Sequence, residues 1–241
     1  MAKRTSAKND ARFVSLADED AVKKLISESA FQLWDVVHNL TKLRVAKRER
    51  YRVTIFGSAR TNRNDFVYQE VRKLGKALAE MNCDVISGGG PGLMQAANEG
   101  AKQAKTKRRG TSVGIRVTLP FEQNVNKYVT EGYEHNTFFT RLHHFTLVSD
   151  AFVVAPGGIG TALEALMVWQ LAQVNHIQGV PLIFAGKMWK ELVDWAKKNM
   201  MSFNPPLLSA KDLDIPICVE SAEEAIKALK AHQVEWKKRK W

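Results

Sequence analysis

Cysteine is scarce: 241 residues hold only Cys83 and Cys218. Two thiols cannot complete a four-ligand zinc site or a disulfide framework. Both fall in apolar stretches that read as strands, where small buried thiols are expected. Long apolar runs are also missing. The longest, Ala162–Val174, carries Glu164 and Gln170 and falls short of the roughly 20 residues of a membrane helix. No apolar core follows the basic residues near the N-terminus, so a secretory signal is not expected. A soluble chain of a reducing compartment, the cytoplasm, is the expectation. Acidic residues are the minority charge, 25 against 36 Lys and Arg, for a net +11. That excess attracts anions without saying which. Hydrophobic residues make up 45% of the chain, enough to exclude a fully disordered one.

Familiar motifs are missing too. A dinucleotide fingerprint needs G-x-G-x-x-G, but the sixth residue counted from Gly88 is Leu93, and from Gly158 it is Leu163. The Gly-Lys pairs at Gly75 and Gly186 lead into Ala77 and Met188, not the Ser or Thr of a P-loop. No G-x-S-x-G elbow occurs, which disfavours a serine hydrolase. His143 and His144 are adjacent rather than four apart, and His135 stands alone, so no metal is expected. Basic groups at Lys42–Arg52, Lys102–Arg109 and Lys237–Lys240 are scattered and carry no recognised nucleic-acid motif. A nucleic-acid partner is therefore not expected.

What is present alternates. Residues 1–17 read as a flexible tail. Residues 18–50 read as a helical extension, with Val22, Leu25, Ile26, Ala30, Leu33, Trp34, Val37 and Leu40 on one face. From residue 51 to 241, short apolar runs at 53–56, 83–86, 112–117, 151–155, 180–184 and 215–219 alternate with helical patterns at 65–81, 92–105, 137–148, 161–175, 188–199 and 221–231. A long connection separates residues 119 and 134. Continuous apolar strands between helices predict an α/β fold, a Rossmann-like doubly wound parallel sheet with helices on both faces and extra terminal helices. Its ligand site belongs at the carboxyl ends of the strands.

Three strand-to-helix turns carry the glycines: Gly57-Ser58-Ala59-Arg60, Ser87-Gly88-Gly89-Gly90-Pro91-Gly92-Leu93-Met94, and Pro156-Gly157-Gly158-Ile159-Gly160-Thr161. Three such turns on one edge suit a phosphate-bearing ligand, since glycine admits close backbone approach and the helix starts offer free N–H groups. Near the third turn, Thr161-x-x-Glu164 has the form of a capping box. Arg141 lies in the apolar stretch Phe138–Leu142 and would need an anionic partner if buried.

The second and third turns resemble the two signatures of the Lonely Guy proteins, cytokinin-activating phosphoribohydrolases long mislabelled lysine decarboxylases. P-G-G-x-G-T-x-x-E is matched at every fixed position from Pro156 to Glu164. Arg141 stands 23 residues before Glu164, where the family's functional arginine is expected. The resemblance spans Val53 to Phe184, and Leu119-Pro-Phe-Glu-Gln123 is similar to the longer bacterial branch. Leu142 and Leu163 depart from the family's usual Lys and acid.

The resemblance implies hydrolysis of the N-glycosidic bond of a nucleoside 5′-monophosphate, of AMP or cytokinin riboside type, to free base and ribose 5-phosphate. No cofactor is implied. Arg141 and Glu164 would be the catalytic pair. Gly157, Gly158, Gly160 and Thr161 would hold the phosphate and ribose. Gly57, Ser58, Gly88, Gly89, Gly90, Gly92, Leu93 and Met94 would line the base and ribose side. A homodimer or higher homo-oligomer is also implied. The alternative is a non-catalytic nucleotide-binding or sensing protein on the same fold. Lysine decarboxylation would need a cofactor-bearing lysine, for which Lys187 is the nearest candidate.

Overall fold

The computed structural model describes residues 14–40, 49–106, 110–118 and 125–239, with the side chains of residues 32–40 left out. The basic run at 42–48, the Lys107–Arg109 cluster, Leu119–Gln123 and Trp241 lie outside the described residues. The chain divides into two compact units, residues 1–46 and 47–241. Among its described residues the first contains one helix, α1 (Glu19–Leu40), with Glu19 and Asp20 in its first turn, where acidic groups complement the helix dipole.

The second unit is built on seven parallel strands: β1 (Arg52–Phe56), β2 (Asp84–Ser87), β3 (Ser112–Val117), β4 (Glu131–His135), β5 (Ala151–Val154), β6 (Leu182–Ala185) and β7 (Pro216–Val219). Their order across the sheet is β4-β3-β2-β1-β5-β6-β7. Helices α2 (Phe66–Glu80), α3 (Leu93–Gln103), α4 (Phe138–Val148), α5 (Ile159–Gln173), α6 (Lys187–Met200), α7 (Ala210–Leu213) and α8 (Ala222–Lys238) complete the unit. The chain runs outward from β1 to β4, returns through α4, and runs outward the other way from β5 to β7. The order reverses between β1 and β5, which makes their carboxyl ends the switch-point crevice. None of the described helices is long and apolar enough to cross a membrane.

Two cores sandwich the sheet. On one side Val53 and Ile55 of β1 pack with Val71, Leu74 and Leu78 of α2, Ala96 and Ala97 of α3, and Leu229 of α8. On the other, Phe56 and Phe152 join Phe145 of α4, Val168 of α5 and Trp189 of α6. Neighbours along β1 thus serve opposite cores, as the period-2 geometry of a strand requires. Central strands are buried on both faces, so apolar residues dominate them, and the buried polar members Thr54, Asp84 and Ser87 are each hydrogen-bonded inside.

Several expectations are corrected. The connection after β3 contains β4, whose residues are exposed except for half-buried His135. An edge strand with Glu131, Gly132 and Glu134 has no apolar pattern, and its register comes from pairing with β3. The short helix α7 has no apolar pattern either. Helix α8 continues to Lys238 rather than stopping near residue 231, and it carries Trp236, which is 4% exposed, to the ring of Tyr51. Cys83 is buried just before β2, but Cys218 is exposed, because β7 is the opposite edge.

Candidate functional site

The three glycine turns meet at the crevice between β1 and β5, and main-chain hydrogen bonds tie them together. The Ser58 N–H donates to the Pro156 carbonyl at 3.1 Å, and the Leu93 N–H donates to the Ser58 carbonyl at 2.8 Å. The first turn is thus a wedge between the other two. Gly92 adopts φ +66°, and a Cβ there would meet the backbone of Ser58 and Ala59, so only glycine closes this junction. Leu93 is fully buried against Gly57. It supports the wedge from the core and does not face the crevice.

Arg141 reaches the site from α4 and Glu164 from α5. Arg141 Nη1 donates to Glu164 Oε1 at 3.1 Å, with both side chains close to 10% exposed. Arg141 Nε donates to the Ile115 carbonyl at 2.9 Å, and its guanidinium lies over the Phe145 ring at 5.2 Å. Nη2 packs on Gly88, whose missing Cβ leaves the room. Carbonyl, ring and carboxylate therefore hold the fork in one orientation. Burial pushes the Glu164 carboxyl up to about 7, against the opposing pull of Arg141. A carboxyl poised near neutrality in a crevice is suited to chemistry, whereas a buried ion pair is weak evidence for stability.

The third turn ends at the start of α5. The helix begins at Ile159 with Gly158 as its N-cap, three residues earlier than the capping-box pattern implies, and no side chain caps it. Thr161 is therefore inside the helix, buried, with its side chain beneath Gly157. Glu164 pairs with Arg141 rather than reaching back to a cap. Gly158 and Gly160 border open space. An uncapped helix start lined by glycines presents its first N–H groups and positive dipole end to an anion.

One buried network went unseen in the sequence. Fully buried Asn98 accepts from Ser87 Oγ at 2.6 Å and donates to Ser112 Oγ at 2.9 Å and the Val113 carbonyl at 3.2 Å. Ser87 Oγ in turn accepts from the Gly89 N–H at 3.0 Å, and Asn126 donates to Asn98 Oδ1 at 3.0 Å. These residues brace the second turn from beneath. An asparagine in a helical stretch gives no signal of this in sequence.

The histidines form a pair rather than a metal site. His135 Nε2 and His144 Nδ1 lie 2.9 Å apart, and burial holds both below the usual imidazole range. No group of three metal-binding side chains exists among the described residues. Lys187 is exposed and pairs with Glu191 on its own helix.

The chain is similar to known proteins in sequence and in fold. The family model described as "Possible lysine decarboxylase" matches residues 94–229. A pyrimidine/purine nucleotide 5′-monophosphate nucleosidase of Escherichia coli K12 is 28% identical over 169 residues, 68% of this chain and 36% of that protein. The chain thus spans about a third of that relative's length. A "probable cytokinin riboside 5′-monophosphate phosphoribohydrolase" of Oryza sativa is 29% identical over 182 residues, 73% of this chain and 78% of that protein. Among solved structures, the molybdenum cofactor carrier protein of Chlamydomonas reinhardtii superposes with TM-score 0.58 at 20% identity, covering 77% of this chain and 99% of that one. A molybdenum cofactor binding protein of Rippkaea orientalis gives 0.57 at 19%, covering 77% and 98%. These two likenesses show the fold alone. With its glycine turns, its Arg141–Glu164 pair and a matched segment of more than half its length, the chain belongs to the Lonely Guy-type family whose model bears the lysine decarboxylase description.

Proposed function

We propose that the chain hydrolyses the N-glycosidic bond of a nucleoside 5′-monophosphate. The observation that carries this reading is the buried Arg141–Glu164 pair beside an uncapped, glycine-lined helix start. In the proposed reaction the phosphate sits on the α5 N-terminus at Gly157–Thr161. Binding energy taken there, remote from the reacting carbon, orients the sugar. As the C1′–N bond breaks, its electron pair leaves with the base and C1′ becomes oxocarbenium-like. The Glu164 carboxylate stabilises that charge. Water adds to C1′, its oxygen forming the new bond, and one of its protons ends on the departing base. Arg141 fixes the orientation of Glu164 and keeps part of it ionised despite burial. The products are free base and ribose 5-phosphate.

The names of the E. coli and rice relatives support this substrate class. The fold shared with molybdenum cofactor carriers does not by itself name an activity. Lysine decarboxylation gains no support, since Lys187 is exposed and pairs with Glu191 on its own helix.

A cytoplasmic homodimer is part of the same reading. Helix α5 is apolar on most of its circumference, with Ile159, Leu163 and Leu166 at 89%, 50% and 47% exposed, and Phe139 of α4 at 71%. Exposed apolar surface beside a site calls for a cover, and a second copy is the proposed one.

Release of free base from AMP and other nucleoside monophosphates by the purified protein tests the proposal. Turnover that disappears in Glu164→Ala is expected. Tight nucleotide binding without turnover would sink it in favour of a sensing role.

A further inference from the structure

We infer that Asn126 is a positioning residue for the proposed reaction: its carboxamide turns the peptide between Gly89 and Gly90 so that the Gly90 N–H donates to the sugar–base end of the nucleotide. The inference rests on the nucleotide reading above and extends it to a residue outside both glycine signatures.

The Gly89 carbonyl accepts from the Asn126 main-chain N–H at 2.8 Å and from Asn126 Nδ2 at 3.1 Å. The Gly90 carbonyl accepts from Nδ2 at 3.0 Å. Nδ2 also reaches Asn98 Oδ1, and Asn126 Oδ1 accepts from the Tyr128 N–H at 3.2 Å. The carboxamide is therefore used on both ends and has one orientation. In a trans peptide the N–H points opposite to the carbonyl it is joined to. With the Gly89 carbonyl directed at Asn126, the Gly90 N–H must point away from it.

The positions on either side of Gly90 offer no free donor. The Gly89 N–H is spent on Ser87 Oγ, and residue 91 is proline and has none. The Gly90 N–H finds no acceptor among the described residues, although Gly90 is buried. A buried main-chain donor left without a partner is rare and costly. Its place along the turn suggests what it serves: Gly88, two residues back, is packed against the Arg141 guanidinium that holds Glu164. A donor there lies beside the reacting carbon rather than the phosphate. A sugar hydroxyl, whose hydrogen bond strengthens as the sugar gains charge, and a base heteroatom share the required acceptor chemistry.

The test uses the whole chain labelled with ¹⁵N-glycine, titrated with ribose 5-phosphate and with AMP. The Gly90 amide resonance is expected to move with ligand in the wild type. A shift with both ligands assigns a sugar oxygen, and one with AMP alone assigns the base. Asn126→Asp keeps the shape, the acceptor for Tyr128 and the main-chain bond to Gly89, but its side chain cannot donate to the two carbonyls and its charge repels them. It should abolish the Gly90 response while ribose 5-phosphate still binds at the α5 terminus. Its kcat for base release should fall about 10- to 100-fold with KM changed by less than about threefold, as for an interaction made mainly in the transition state. Asn126→Ala, followed by thermal melting, serves if the aspartate variant does not fold. A wild-type Gly90 amide that ignores both ligands overturns the inference, as does an Asn126→Asp enzyme with wild-type kcat. Because the ribose 5-phosphate response is read without turnover, a wild type that binds but does not cleave refutes the proposed reaction while still judging Asn126.

Discussion

The Glu164 carboxyl gives the most exposed prediction, because its environment sets a pH dependence that can be worked out beforehand. Burial pushes the group from 4.5 to about 7, with Arg141 pulling the other way. The proposed chemistry needs the carboxylate, so kcat/KM should rise with pH, reach half its plateau near 7 and flatten above 8. At pH 5.5 only about 3% of the enzyme would hold the active form, a loss of about thirtyfold. The substrate phosphate also titrates, near pH ~6. Inhibition by ribose 5-phosphate over the same range isolates that limb, and its constant should not follow the midpoint near 7. Initial rates of base release between pH 5 and 9 are the assay. Arg141→Met removes the attraction that lowers the group, so its midpoint should move to higher pH. Stability gives a second reading. A carboxyl whose value is raised on folding favours the folded state while protonated. Its contribution is fullest below about 4.5 and is lost as pH rises through about 7, a swing of roughly 3 kcal/mol. Glu164→Gln cannot ionise and should flatten that part of the melting-temperature profile. A rate plateau extending down to pH 5, or activity that falls above pH 7, would refute the carboxylate role.

Three further outcomes follow from named contacts. Gly88→Ala places a methyl group against Arg141 Nη2 and Met94 Sδ. Shifting the fork by about 1 Å should cost about 100-fold in kcat/KM, while isothermal titration with ribose 5-phosphate stays near wild type. Glu99, 1% exposed, accepts from the Tyr68 hydroxyl at 2.8 Å and pairs with Arg63. Glu99→Ala leaves the buried Tyr68 hydroxyl without its acceptor and should lower stability by about 1–3 kcal/mol in urea unfolding. Leu166→Asp on the exposed face of α5 should convert the proposed dimer to monomer in sedimentation velocity, and a wild type already monomeric at high concentration would refute the dimer.

The interior of the fold was legible because its central strands are buried on both faces. Residues 53–56, 84–87 and 151–154 have no solvent-facing positions, so apolar residues dominate them and the polar ones, Thr54, Asp84 and Ser87, are taken up by internal hydrogen bonds. The helices against them announced themselves by spacing, as Val71, Leu74 and Leu78 do in α2. Strand β4 obeys no such constraint. It pairs on one side only, all its residues but His135 are exposed, and a run of Glu, Gly, Tyr, Glu and His can be a strand or a loop with equal local sense. Cys218 misled for the same reason at the opposite edge: an apolar strand suggests burial only where both faces are covered.

At the site, what was legible was what the backbone demands and what was missed was what the topology brings together. Glycine at 57, 88 and 92 is forced by close approach, and such demands are written directly into sequence. Arg141 could be singled out because an arginine in an apolar helical stretch needs an anion, and the structure supplies Glu164 from 23 residues away. The capping-box pattern at Thr161 and Glu164 failed on register. Gly158 starts α5 early, Thr161 turns inward beneath Gly157, and the glutamate is freed for Arg141. Asn126 was beyond reach of sequence because its partners are main-chain carbonyls 36 and 37 residues earlier. A carbonyl has no residue identity, so no spacing rule can point to it. Only the return of the chain after β3, past a connection without apolar signal, places that carboxamide over the second glycine turn. A glycine turn can present a donor only if something else fixes its carbonyls. The side chain that does so must therefore come from elsewhere in the chain.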